Sequence, residues 1–537
     1  MSIELALAVV GAVDLGYKWG EQIVQLCSSL KRAPKEIFER VVRVEACWVR
    51  ISSQLEFSRQ TANLMDENHC ALHHRTLNVL LDKLKAVHRE LGGLRDAEGR
   101  ELQAESFSTS RPSGANSIAT GKRIKYALKK TRIDGAIEEL ETWQGVFDIS
   151  WLLILRIANG DVDKALAGSS TSSISTSMPP TKRLRAVIRK TPATSAESVF
   201  LRDSEIDKAT IVSLPFSDAS VAERKGQLLI LDHIKCAEPA ARTVTKDVRR
   251  LAQSMRDAAT GADSFGWLKC KGVVREVLRP EGGPRITDLT MVFKVPSGYA
   301  RPTSLREALL TGETCLGSLS DKVKLAKDLA RAVSYMHVFG FVHKNIRPET
   351  VLLLRGDNAP SSCSAWLKTP LPLFLVGFEK FRSEDGNTYR AGDDEWAKSL
   401  YRHPRRQGLN PIDSYVMQHD IYSLGVCLLE IGLWVSFVEY DLGEKEATDG
   451  SHPLAGAVAD SLARPSDIRA SLLALAENLL PRLMGSKYFE VVKTCLTCLD
   501  EENEDFSNED EFSDEDGIVV GLRYVEKVIM QLNSISV

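Results

Sequence analysis

One stretch decides how this chain can fold: AGSSTSSISTSMPPT, Ala167 to Thr181. Nine of its fifteen residues are Ser or Thr and two are Pro, so it has too little apolar surface to offset the entropy of ordering it. A hydrophobic core cannot run through such a segment. The chain, at 537 residues, is also too long for one ordinary core. Two bodies are therefore expected, joined by a disordered linker over residues 159–200. The basic run KRLRAVIRK, Lys182 to Lys190, belongs to that linker, either as a solvated strap or as a contact for anionic lipid or a partner.

Before the linker the apolar residues keep a helical period. In ERVVRVEACWVRISSQL, Val41, Val44, Trp48, Ile51 and Leu55 recur at intervals of 3 and 4. In RTLNVLLDKLKAVHREL, Leu77, Leu80, Leu84, Val87 and Leu91 do the same. Each set makes one stripe on one helix face, which predicts an α-helical bundle over residues 1–158. From Leu5 through Val9 to Val13 the first helix is apolar on every side, so this part is either buried or lipid-facing. HCALHH puts His69 with His73, and Cys70 with His74, at the i, i+4 spacing that can hold a metal. With no further ligands nearby, its other reading is a polar first helical turn.

After the linker the period changes. GQLLILDHI and DLTMVFKVP read as strands, and TKDVRRLAQSMRDAA between them reads as a helix. From about residue 303 the pattern is mostly helical, and Ser320 can cap a helix whose stripe is Leu325, Leu329, Ala332 and Met336. A strand-rich part before a larger helical part is the α+β order. The acidic run at 501–517 is expected to be a disordered insertion, with Ser507 and Ser513 as candidate phosphorylation sites. Lys and Arg number 69 against 72 Asp and Glu, so the balance of −3 offers no argument for nucleic acid. Ten scattered cysteines and no basic region before the N-terminal apolar run point to a reducing, intracellular setting. Cys495 and Cys498 of TCLTCLD are then expected to pack in a helix core. No apolar stretch reaches the roughly 18 residues that span a bilayer.

Several motifs in the second body stand in a known order. HKNIRPET runs from His343 to Thr350, with His343, Lys344 and Asn345 where protein kinases have H-R-D. Arg347, Pro348, Glu349 and Thr350 follow where they have K-P-E-N. Gly377-Phe378-Glu379 matches D-F-G, and Pro404 keeps the Pro of A-P-E, with Arg405 in place of its Glu. HDIYSLGVCLLEIGLW matches the buried helix whose Asp, here Asp420, ties down the catalytic-loop backbone. The second body thus resembles a bilobal protein-kinase domain over 201–534, with a small lobe about 201–300 and a large lobe about 301–534. Pro404 and Asp420 carry structural roles in that resemblance.

Phosphoryl transfer needs a carboxylate to orient the nucleophile and ligands to hold magnesium on the phosphates. Asn345 cannot take a proton at neutral pH, Gly377 has no ligand atom and Thr350 has one weak one. No G-x-G-x-x-G precedes LLILDHI. For the lysine of the third kinase strand only His233 or Lys235 lies nearby, as candidate cofactor contacts. The resemblance therefore implies a pseudokinase with no catalytic residue, no metal, and no cofactor unless ATP binds without magnesium. The enzyme alternative is a residually active, ATP-binding Ser/Thr-type protein kinase.

The first body is similar to the HeLo and HeLo-like domains of filamentous-fungal cell-death proteins, of the prion-inhibition and propagation type. An apolar N-terminal segment leads into helices and then into Lys125-Tyr126-Ala127-Leu128. The order of the two bodies resembles mixed lineage kinase domain-like pseudokinases. That resemblance implies a signalling effector of programmed cell death whose bundle self-oligomerises and acts on membranes. Leu5, Val9 and Val13 would insert, while Lys122, Arg123, Lys125, Lys129 and Lys130 would meet anionic lipid. An upstream sensor protein would move it from the cytoplasm to the plasma membrane. A scaffold whose bundle only binds other proteins is the further alternative.

Overall fold

The computed structural model describes residues 3–30, 35–107, 115–157, 159–168, 184–186, 188–189, 198–258, 266–279, 283, 285–311, 318–356, 371–383, 396–409, 411–438, 440, 465–507 and 518–536. Of residues 94–129, only helical backbone belongs to the described set. The chain divides into two compact units, Met1–Lys182 and Arg183–Val537. The first is helical; the second combines helices with antiparallel sheet.

The first unit contains α1 (Ile3–Ser29), α2 (Lys35–Thr61), α3 (Glu67–Phe107), α4 (Ala115–Ile154) and α5 (Gly160–Gly168). Val41, Val44, Ile51 and Leu55 of α2 are buried, as are Leu77, Leu80, Leu84, Val87 and Leu91 of α3. Trp48 crosses α1 at Gly20, where a Cβ would meet its ring at 1.9 Å, and Leu55 crosses at Gly16, one turn away. Only glycine permits that approach of the two helices. Ion pairs join α2 to α4: Arg40 to Asp134 (2.7 Å), Arg43 to Glu141 (2.6 Å) and Arg50 to Asp148 (2.7 Å).

Two expectations change in this unit. His69 and His73 do stand in the opening turns of α3, yet both are fully buried in the bundle. His73 bridges Ser58 and Ser150 at 2.9 Å each, and His69 Nε2 faces the Ser150 carbonyl at 3.3 Å. Burial holds His73 neutral, with its pKa down at about 3, so it acts as a polar crosslink between α2, α3 and α4. The stretch expected as linker begins with α5, because Val162 and Leu166, one turn apart, are buried and the helix packs on α2. Residues 169–183 of that stretch lie outside the described set. At its far end Val199 and Leu201 bond to the backbone of Val273, so the ordered chain resumes before residue 200.

The second unit opens on a five-stranded antiparallel sheet: β1 (Val212–Ser213), β2 (Ala219–Arg224), β3 (Gln227–Ala237), β4 (Lys269–Leu278) and β5 (Ile286–Lys294). Their spatial order is β1-β2-β3-β5-β4. Lys225 and Gly226, at φ of 50° and 75°, make the two-residue turn between β2 and β3 that the twist of a hairpin favours. Helix α6 (Glu238–Ala258) connects β3 to β4 and packs on β3, β4 and β5. Ile206, Ala222, Leu229, Leu231, Val274 and Val292 form one apolar cluster of this sheet.

The larger part follows with β6 (Tyr299–Ser304), α7 (Leu305–Leu310), α8 (Leu319–Val338), β7 (Phe341–Val342), β8 (Val351–Gly356), β9 (Leu373–Leu375) and β10 (Arg382–Ser383). Then come α9 (Trp396–Ser399), α10 (Met417–Leu433), α11 (Pro465–Leu483) and α12 (Ser486–Leu496). Strands β6-β8-β9 form one small sheet and β10-β7 another. Ser318, two residues before the expected Ser320, caps α8 by accepting from the Asp321 amide at 3.1 Å. Every residue from Met417 to Gly432 is buried, so α10 is the central post of this part. Cys495 and Cys498 are both buried. The expected acidic insertion is ordered at its start: Phe506 is fully buried and its carbonyl accepts from the Leu499 amide at 3.0 Å. Residues 508–517, Ser513 among them, lie outside the described set. Among the described residues no helix is long and apolar enough to cross a membrane.

Candidate functional site

The segment His343–Thr350 joins β7 to β8, and its shape is set by Asp420 in the first turn of α10. Asp420 is fully buried and accepts from the backbone amides of His343 (2.7 Å) and Lys344 (2.9 Å). The Tyr415 hydroxyl donates to it at 2.7 Å, and His337 Nε2 lies at 3.2 Å. Burial would raise the Asp420 pKa, but His337, His343 and Tyr415 outweigh it and hold the carboxyl below its usual range. The carboxylate secures Lys344 at φ 65°, a left-handed conformation that costs a side chain energy. The Lys344 ammonium rests over the Tyr415 ring, 5.4 Å from its centre.

His343 is neutral. Burial first lowers its pKa to about 4. The Asn345 amide donates to its Nδ1 (3.3 Å), which leaves the proton on Nε2 to bond the Val376 carbonyl at 3.1 Å. Its ring packs on Phe378 with centres 5.0 Å apart.

The side chain of Asn345 is fully engaged. Its amide nitrogen donates to the Gly377 carbonyl at 3.2 Å and faces Asp218 at 3.4 Å, while its oxygen accepts from Arg347 Nε at 2.9 Å. The Thr350 hydroxyl meets the carbonyls of Asn345 (2.7 Å) and Arg347 (2.9 Å). Gly377 sits at φ 81°. A Cβ there would lie 2.3 Å from Thr350 Cγ2 and 3.4 Å from Asn345 Nδ2, so the Thr350 methyl fills the space where a side chain at 377 would begin.

Two aspartates from the five-stranded sheet complete the cluster. Asp232 on β3 accepts from the backbone amides of Gly377 (2.9 Å) and Phe378 (2.8 Å). Its burial pushes the pKa up to about 6 against the pull of those two bonds. Asp218, in the turn from β1 to β2, pairs with Arg347. The neighbouring Ser217 donates to the Glu349 carbonyl at 2.8 Å, and Phe216 meets the Tyr440 ring edge-on at 5.0 Å. The turn is thereby fastened onto the segment below it. Burial would raise Glu349, but Arg306 and Arg347 hold it down to about 2. Arg306, itself fully buried, forks between Glu349 (2.9 Å) and Glu430 (2.8 Å) and bonds Ser436 at 2.6 Å.

The cluster is thus a dense hydrogen-bond network linking the loop to both sheet aspartates. Asn345, Thr350 and Gly377 offer no group that takes a proton at neutral pH. Among the described residues no three His, Cys, Asp or Glu side chains converge as a metal site. The candidate cofactor contacts lie elsewhere. Strand alternation puts His233 and Lys235 on the face opposite Asp232; His233 bonds Thr290 and lies near Asp288, and Lys235 is exposed. Glu379 is half-buried, and Pro404 opens a one-turn helix, Pro404–Arg406. Asp218, Asp232 and Arg306 were not anticipated. Asp232 had a signal, a carboxylate directly after the apolar run LLIL; Asp218 had none.

In the first unit Val9 and Val13 are fully buried and Leu5 is half-buried, so the segment is not apolar surface on all sides at rest. Ile3 and Leu7, one turn apart, are 72% and 65% exposed. Lys130 is engaged by Glu36 at 2.7 Å and forms one more link between α2 and α4. The side chains of Lys122, Arg123, Lys125 and Lys129 lie outside the described set. No family model matches the chain, and no curated protein matches it.

Proposed function

We propose that the second unit is a kinase-like switch without phosphoryl transfer, and that it governs a first unit acting on membranes. A kinase small lobe carries its phosphate-binding lysine on the third strand, ahead of a helix that supplies the partner glutamate. Here the third strand brings Asp232 to the same loop, with α6 following it. The carrying observation is the contact at Gly377: the Thr350 methyl fills the position from which a metal-binding carboxylate would project. Asp218 adds a negative charge beside Arg347 where a glycine-rich loop would cover phosphates, which opposes ATP binding with or without magnesium. Both features disfavour the active-kinase alternative.

For the first unit the supporting feature is the exposed pair Ile3 and Leu7 at the start of α1, beside Val9 and Val13 in the core. Release of α1 would present all four to lipid. In this reading the protein rests in the cytoplasm. An upstream sensor frees the bundle, copies assemble at the plasma membrane, and basic residues of α4 meet anionic lipid.

Two experiments test the two halves. With labelled ATP and magnesium the full chain should incorporate no label; incorporation that vanishes in Asn345→Ala would refute the switch. Residues 1–182, the complete compact unit, should leak phosphatidylserine liposomes. Ile3→Glu with Leu7→Glu should abolish leakage while preserving the fold, because both positions are exposed. Leakage undiminished in that double variant sinks the membrane reading, and no leakage from the parent leaves the scaffold in its place.

A further inference from the structure

A second site lies on the outer part of the five-stranded sheet. Arg242, Lys246 and Arg249 occupy positions i, i+4 and i+7 of α6, and all three are exposed. They line a cleft of about 560 Å³ together with Arg275 of β4 and Arg285 at the entrance to β5. Among the described residues the only carboxylate in the lining is Glu238, which pairs with Arg285 at 3.4 Å. Arg249 is steadied by the Phe200 ring, 5.2 Å from its guanidinium. Among the described residues five cations therefore share one concavity with one carboxylate. Their mutual repulsion is relieved when an anion enters.

We infer that this cleft binds a small polyphosphate. Its walls come from one helix and two strands, so it is concave and of a size that encloses a small ligand. That concavity favours a small ligand over a flat bilayer surface. Guanidinium groups match phosphate oxygens in pairs, and four of the five cations are arginines. A single phosphate would leave most of them unneutralised, so the site selects a ligand with several phosphates close together. It takes no part in the Asp232–Gly377 network, since Thr287 of the cleft lies four residues along β5 from Met291, the strand partner of Asp232.

The full chain tests this by calorimetry at moderate salt with sodium tripolyphosphate as the probe. Orthophosphate, a polyglutamate peptide and phosphatidylserine vesicles are the comparisons. Tripolyphosphate should bind one to one, more tightly than any of these, and should weaken as salt rises. The Arg242→Gln, Lys246→Gln, Arg275→Gln triple variant should bind about tenfold or more weakly. These positions are exposed, so the variant should fold, and its melting temperature without ligand checks this. The charge-conserving pair Arg242→Lys and Arg275→Lys provides a second measure, with affinity lowered by loss of the paired contacts. Unchanged affinity in both variants overturns the proposal. So does a preference for the peptide or the vesicles, or binding of tripolyphosphate no tighter than that of orthophosphate.

Discussion

Replacing Asp420 by Ala takes the acceptor from three donors, the amides of His343 and Lys344 and the Tyr415 hydroxyl, besides its contact with His337 Nε2. A buried donor left without an acceptor costs about 1–3 kcal/mol. The cost here falls at the lower end for two of the three. Lys344 is only half-buried, and the Tyr415 hydroxyl can rotate. Loss of the tie also frees the left-handed turn at Lys344. A total of about 3–5 kcal/mol follows. Unfolding entropy near 2.1 cal/mol/K per residue over the roughly 350 residues of the second unit gives about 0.7 kcal/mol/K, so the transition should drop by about 4–7 °C. Scanning calorimetry of the full chain reads the drop directly. Asp420→Asn, which keeps one acceptor oxygen, should fall between the parent and the Ala variant. Amide hydrogen exchange at 343 and 344 should accelerate in both. A shift below about 1 °C in the Ala variant, with exchange at those amides unchanged, would refute the view that this carboxylate organises the loop.

Gly377→Ala should destabilise the second unit by about 2–4 kcal/mol, because the new Cβ combines positive φ with overlap on Thr350. Adding Thr350→Ser, which removes the overlapping methyl, should recover part of that loss; denaturant melts of the four members of the cycle decide it. Asp232 gives a pH dependence of definite sign. Its folded pKa is raised from 3.8 to about 6, so its contribution is fully present below about 3.8 and is lost as pH rises through about 6. That loss amounts to about 3 kcal/mol at most. Melting temperatures of Asp232→Asn should therefore fall less steeply from pH 4 to 7 than those of the parent, and parallel curves would refute the assignment.

The division into a helical body and a body mixing helix with sheet could be read from the order of residues alone. It depends on local quantities: the 3–4 spacing of Val41 to Leu55, the change of period after residue 200, and a Ser/Thr tract too polar to pack. The limits of the linker were not legible in the same way. Val162 and Leu166 order α5 only because α2 offers them an apolar face. His69 and His73 likewise carry the same local signature whether their helix face meets solvent or Ser150 of a helix far along the chain. The central cluster was the least legible. Asp232 lies 145 residues from Gly377, and Asp218 lies 129 from Arg347. Strand β3 buries residues on both its faces, so its composition does not say which face meets the loop, and His233 and Lys235 stood as reasonable choices beside Asp232. Helix and strand periods follow from the geometry of a few consecutive residues. Which charge meets which backbone amide follows from packing between segments distant in sequence, and only the tertiary structure decides that.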